Sequence, residues 1–261
     1  MTDIVPPDNG LASALPTVPV FKTDLFIPRY TLTGQGLWRL RSAPFSLSTG
    51  YWSPTMLVEN LIGLIRNGDT WMSTAPLELE SQELGIRHAA GHVLIYGMGM
   101  GWCAINCALM PAVTRVTVVE LDPDILALHR ELNLVAQIPE EAQAKLRVVQ
   151  GDAYEYVPDA PVDLLMPDIW LPLMNDGRVE EVQRMQAKVG AARVYFWGQE
   201  LELARHAVAA GREMDTDGIA ATTVEFGLPL LGPDLSDYAD KVRKASVHVR
   251  DRWLPGRVSP V

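Results

Sequence analysis

Past residue 70 the chain repeats one pattern. A short apolar run is followed by a longer stretch with apolar residues three and four apart. The apolar runs predict strands over residues 92–96, 115–120, 145–150, 162–166 and 193–197. The stretches between and after them predict helices over 102–110, 123–134, 177–189 and 200–210, with one more over 76–89 before the first strand. Strands alternating with helices imply a parallel sheet with right-handed crossovers. Ligands then bind beyond the carboxyl ends of the strands. Residues 36–52 alternate apolar and polar positions, which predicts one or two short antiparallel strands. Ser53-Pro54 predicts a helix start, with Leu57, Leu61, Ile62 and Ile65 on its buried face and Asn67-Gly68-Asp69 at its end. Residues 1–33, rich in proline, read as an arm.

The turns between these elements carry the chemistry. Val93 to Gly101 reads Val-Leu-Ile-Tyr-Gly-Met-Gly-Met-Gly, an apolar strand running into a glycine-rich turn. About twenty residues on, in the usual spacing of a nucleotide-binding βαβ unit, a second strand ends at Glu120. Gly97, Gly99 and Gly101 let backbone approach a ligand with no Cβ in the way. The Glu120 carboxylate, at a strand tip, is able to accept both hydroxyls of a ribose. A third strand ends in Gly151-Asp152-Ala153 and a fourth in Asp168-Ile169-Trp170. A nicotinamide dinucleotide site is the competing reading. Its G-x-G-x-x-G fingerprint is met only approximately by Gly99-Met-Gly-Trp-Cys-Ala, and it gives no role to the two later segments.

With these four segments in order, the chain resembles the class I S-adenosylmethionine-dependent methyltransferase fold, in its spermidine-synthase-like branch. The resemblance runs from about Trp71 to Ala210. It implies an α/β, Rossmann-like doubly wound, mostly parallel sheet with a small N-terminal β/helical appendage. Residues 1–70 would form the arm and a small hairpin and helix region, and 71–261 the cofactor-binding domain. That fold ends in an antiparallel hairpin at the sheet edge, which residues 220–226 and 245–249 are expected to supply. By the resemblance, S-adenosyl-L-methionine is the cofactor. The turn Gly97, Met98, Gly99 and Gly101 would lie against its amino-acid portion, Glu120 would hold the ribose, and Asp152 the adenine amino group. Leu121 and Ala153 would sandwich the adenine ring.

At the reacting end, Asp168 is expected to orient or deprotonate the nucleophile. Trp170 is read two ways, as a ring stacked on a substrate or cation, or as packing beneath its loop. Two departures from the branch decide between reactions. The loop Asp-Ser-Ser-Asp is here Asp168-Ile169-Trp170-Leu171, so its second acid is a leucine. The turn acid that holds the amine of the decarboxylated cofactor is here Met100. A charged hydrogen bond of that kind is worth about 1.5–3 kcal/mol, which is roughly tenfold or more in preference. Methyl transfer to a small-molecule amine or hydroxyl therefore leads, and aminopropyl transfer comes second. A nucleoside-binding protein without catalysis is the alternative of another class.

Composition narrows the partners. A formal charge of −10 disfavours nucleic acid, which calls for a basic face, and suits a small, cationic acceptor. Cys103 and Cys107 share one helix face and read as core. Of the five histidines, His129 and His206 fall on helices away from the strand tips, and none has metal-ligand spacing. The N-terminus lacks a signal-peptide pattern, and no apolar run approaches a membrane span, so a cytoplasmic location is expected. A homo-oligomer is compatible with the sequence, which does not specify one.

Overall fold

The computed structural model describes residues 18–253, with side chains through Ser246. Two sheets organise it. The larger has five strands, β5 (Gly91–Tyr96), β6 (Val113–Glu120), β7 (Leu146–Gln150), β8 (Leu164–Pro167) and β9 (Arg193–Val194), in the order β7-β6-β5-β8-β9. Every pairing in it is parallel. The helices are α1 (Pro76–Arg87), α2 (Trp102–Leu109), α3 (Pro123–Leu132), a short α4 (Glu140–Gln143), α5 (Arg178–Val189), α6 (Gln199–Ala209), α7 (Thr216–Phe226) and α8 (Tyr238–Trp253). The strand order is that of a doubly wound Rossmann-like sheet. Chain direction across the sheet reverses between β5 and β8, and the ends of those strands open the crevice where such folds bind ligands. Val93, Leu94, Ile95 and Tyr96 are buried, as a strand covered on both faces requires.

The smaller sheet is antiparallel, in the order β1 (Gly34–Gln35), β2 (Trp38–Thr49), β3 (Thr55–Arg66), β4 (Asp69–Ser73). The helix expected after Ser53-Pro54 is therefore strand β3. It pairs with β2 from Trp38↔Arg66 to Thr49↔Thr55. Gly63 sits mid-segment, where a helix would lose about 1 kcal/mol relative to alanine. Asn67 and Gly68 have φ of 51° and 93°, so they form the tight β3–β4 hairpin turn and not a helix end. The appendage is thus a β-sheet. The arm, over its described residues, is strapped down. Phe21 N–H donates to the Leu57 carbonyl at 2.8 Å, and Asn106 on α2 exchanges two hydrogen bonds with the Phe26 backbone, both 2.9 Å.

The C-terminal part also differs from expectation. Residues 220–226 belong to α7 and 245–249 to α8, so neither supplies a hairpin strand. Asp215 caps α7 by accepting the Gly218 N–H at 2.8 Å, and Gly227, at φ 59°, ends it. The sheet edge is met instead by Leu230, which bridges to Val194. Beneath α6 and α8 lies a buried polar knot. Glu200 accepts the Tyr51 hydroxyl at 3.0 Å, with Tyr195 and Tyr238 beside it and its Oε1 unpartnered. Burial pushes Glu200 up to about 7 against the opposing pull of those hydroxyls. Among the described residues no helix is long and apolar enough to cross a membrane.

Candidate functional site

The tips of four neighbouring strands and the inner edge of the small sheet enclose a cleft of about 660 Å³. That lies within the ~300–1,000 Å³ range of small-molecule pockets. The large sheet lays its segments along the cleft in strand order. Gly151-Asp152-Ala153 follow β7, Glu120-Leu121-Asp122 end β6, Gly97 and Gly99 follow β5, and Asp168-Ile169-Trp170 follow β8.

Gly97, just past β5, lies against the start of the loop after β8. Its φ is +92°, and a Cβ there would stand 2.1 Å from the Asp168 carbonyl oxygen. Only glycine fits against that backbone. Gly99 is less crowded, with a would-be Cβ 2.7 Å from the Met72 side-chain sulfur. Met98 and Gly101 do not line the cleft. The Met98 side chain packs on the core, and its N–H donates to Glu120 Oε2 at 2.8 Å. Gly101, at φ 75°, begins α2 and packs against His129.

His129 corrects the sequence reading. It does not sit away from the strand tips, because its Nε2 is 2.9 Å from the Gly99 carbonyl, to which it donates. The next turn of α3 is thus pinned to the glycine turn. Burial holds its pKa below the ordinary histidine range, so the ring is neutral and acts as a brace.

Glu120 is 9 % exposed and faces the cleft. It accepts the Met98 N–H on one oxygen and the Asp122 N–H on the other, at 2.8 and 2.7 Å. Desolvation raises its pKa and these amides oppose the rise. Each oxygen keeps a second lone pair for a ligand. Asp152 uses Oδ1 to accept the Tyr154 N–H at 2.8 Å, which leaves Oδ2 for a donor in the cleft. Ala153 is buried beneath, while Leu121 stands 65 % exposed at the mouth.

The opposite wall comes from the small antiparallel sheet, where the sequence reading passed over Trp38 and Arg66. Trp38 on β2 and Trp71 on β4 meet edge to face at 5.3 Å, and the Arg66 guanidinium lies 5.0 Å from the Trp38 ring. Trp38 Nε1 donates to Asp122 Oδ2 at 2.9 Å, which ties this wall to the tip of β6. The signal was the Asn67-Gly68 pair. Read as a hairpin turn, it places Arg66 and Trp71 on adjacent strands.

At the β8 end, Asp168 is half-buried and accepts Gln82 Nε2 at 2.8 Å. Burial raises its pKa to about 7, with Arg178 pulling the other way. Arg178, fully buried, shapes the loop. It donates to the carbonyls of Pro172, Leu173 and Trp197 and to Asn175, and its guanidinium lies 3.9 Å from the Trp170 ring. Trp170 Nε1 donates to Glu181 at 2.5 Å. Trp170 therefore packs within its loop, on Arg178 and Glu181, while it also lines the cleft. Glu78, on the first turn of α1, also lines the cleft beside Asp168. Among the described residues no group of three His, Cys, Asp or Glu gathers as a metal would need.

No family model and no curated protein sequence matches the chain. Solved structures resemble part of it. The glycopeptide N-methyltransferase MtfA complexed with S-adenosyl-L-homocysteine is 22% identical over 42% of this chain and 41% of that one, with a TM-score of 0.33. The DhpI-SAM-HEP complex is 19% identical over 42% of this chain and 48% of that one, with a TM-score of 0.32. The methyltransferase domain of bacterial CtHen1 is 16% identical over 41% of this chain and 59% of that one, also at 0.32. The likeness is short, and the fold stands on the strand order described above.

Proposed function

We propose that the chain is an S-adenosylmethionine-dependent methyltransferase acting on a small amine or hydroxyl. The observation that carries this reading is the alignment of four groups along one cleft. Asp152, Glu120, the glycine turn and Asp168 follow the order adenine, ribose, amino-acid portion and reacting centre. The residues fit the cofactor. Glu120 is a buried carboxylate with acceptor capacity left, and Gly97 and Gly99 present bare backbone to the cleft.

When bound, S-adenosylmethionine supplies a methyl group on a sulfonium. The chain's own residues do the rest. Glu120 takes the ribose hydroxyls, and Asp152 Oδ2 takes the adenine amino group, with Ala153 under the ring and Leu121 at its edge. Gly97 and Gly99 lie along the amino-acid portion. Trp38, Trp71 and Trp170 exclude water, and Asp168 aligns the nucleophile and holds its proton. Aminopropyl transfer has less support. Met100 is buried, carries no charge, and offers nothing to an amine.

The test is calorimetric titration with S-adenosylhomocysteine and with NAD. S-adenosylhomocysteine should bind at micromolar strength and NAD should not. Glu120→Ala should weaken the first by about tenfold or more, since it removes a charged acceptor. Binding of NAD alone would overturn the reading, and an unchanged affinity in the folded variant would remove Glu120 from the ribose site.

A further inference from the structure

The loop after β8 carries one carboxylate, Asp168, but a second reaches the same wall from another element. Glu78, on the first turn of α1, lines the cleft with it. Between them stands Gln82, one helical turn on. Its Nε2 donates to Glu78 Oε1 at 3.1 Å and to Asp168 Oδ2 at 2.8 Å. Gln82 is 3 % exposed, so this link is internal to the protein. Its Oε1 is buried with no hydrogen-bond partner. The two carboxyl groups are thus held by one amide nitrogen, whose two hydrogens they share out between them. What the group lacks is a cationic partner in contact.

The charges around it do not supply one. From α5, the Arg178 guanidinium reaches Asp168 only through its field, because its outer nitrogens are committed to the loop carbonyls and Asn175. From α2, Cys103 faces both acids as a neutral thiol, with its pKa driven up by Cys107, burial and the acids themselves. Two carboxylates this close cannot both ionise cheaply. Burial and the Asp168 charge raise Glu78 well above its usual range. Such a pair titrates as a unit, in two steps.

We propose that Glu78 and Asp168, both held by the Gln82 amide, form one paired acid site that receives an amine acceptor as its ammonium ion. This rests on the methyltransferase reading of the cleft. With one of the two acids protonated the pair holds a single negative charge, matched by a single ammonium. A hydroxyl carries no such charge. The ammonium gives one proton to the pair, which passes it to solvent. The freed nitrogen lone pair then forms the N–C bond to the methyl carbon as the C–S bond breaks onto sulfur. The resulting methylammonium is the product, or returns a proton to the pair. Glu78 thus replaces, from α1, a second acid that the loop holds as Leu171.

The test uses the full chain saturated with S-adenosylhomocysteine, with n-butylamine and 1-butanol as probes. Calorimetry should show butylamine binding at neutral pH and butanol binding at least about tenfold more weakly, the size of a charged hydrogen bond. Glu78→Gln should erase that preference, and Glu78→Asp should restore part of it. Carboxyl NMR of the folded Asp168→Asn protein should show Glu78 titrating at lower pH than in the wild type, because the Asp168 charge is one of the causes that raise it. Equal binding of the two probes, or a Glu78 titration unmoved by Asp168→Asn, would overturn the pair. Failure of S-adenosylhomocysteine to bind the wild type would instead overturn the cofactor reading beneath it.

Discussion

Asp168→Asn should lower turnover by about 10²–10⁴, the range for loss of a general base, with little change in affinity for S-adenosylhomocysteine. Asparagine keeps an oxygen for Gln82 Nε2, so the wall stays in place while its charge is lost. Wild-type rate should rise with pH through about 7, as the half-buried Asp168, in its pair with Glu78, gives up its proton. The variant should lose that limb. Two pH–rate profiles with affinities measured alongside decide the matter. Parallel profiles of similar height would take Asp168 out of the chemistry, and lost cofactor binding with normal turnover at saturation would move it into the cofactor site.

The second large effect concerns stability and lies outside the cleft. Glu200 titrates near 4.5 when unfolded and about 7 when folded. Between those values the unfolded chain has released the proton that the folded protein keeps. Raising the pH through this window therefore lowers stability, and above 7 the full cost is present. For a shift of this size the cost is about 3 kcal/mol. Glu200→Gln retains an acceptor for Tyr51 and has no charge to bury. Urea unfolding should find the variant close to wild type near pH 4.5 and more stable by about 3 kcal/mol at pH 8. Surface carboxylates such as Asp159 and Glu225, which are held below their usual range by arginines, act in the opposite sense but equally in both proteins. A difference between the proteins that stays constant with pH would show that Glu200 is ionised in the fold throughout.

The sequence was informative where strands were buried on both faces. Runs such as Val93–Tyr96 and Val116–Glu120 are apolar enough to be strands whatever surrounds them, and their glycine and acidic ends follow. It misled where one face is exposed. In β3, Leu57, Leu61, Ile62 and Ile65 happen to fall three and four apart, which imitates a helix, while the strand is fixed by eleven cross-strand pairs with β2. The same limit hid the tryptophan and arginine wall of the cleft, because it depends on that hairpin. Glu78, Gln82 and Arg178 were hidden for another reason. Each meets Asp168 or its loop only through tertiary packing, and local spacing carries no trace of that. The C-terminal helices were misread because a family's terminal hairpin was expected where Asp215 and Gly227 in fact bracket a helix.

The most direct measurement is a crystal structure of the chain with S-adenosylhomocysteine. The account predicts ribose hydroxyls on Glu120, the adenine amino group on Asp152 Oδ2, and the thioether sulfur turned toward Asp168 and Trp170. Density for the nucleoside outside this cleft, or inside it with the sulfur turned away from the β8 loop, would contradict it.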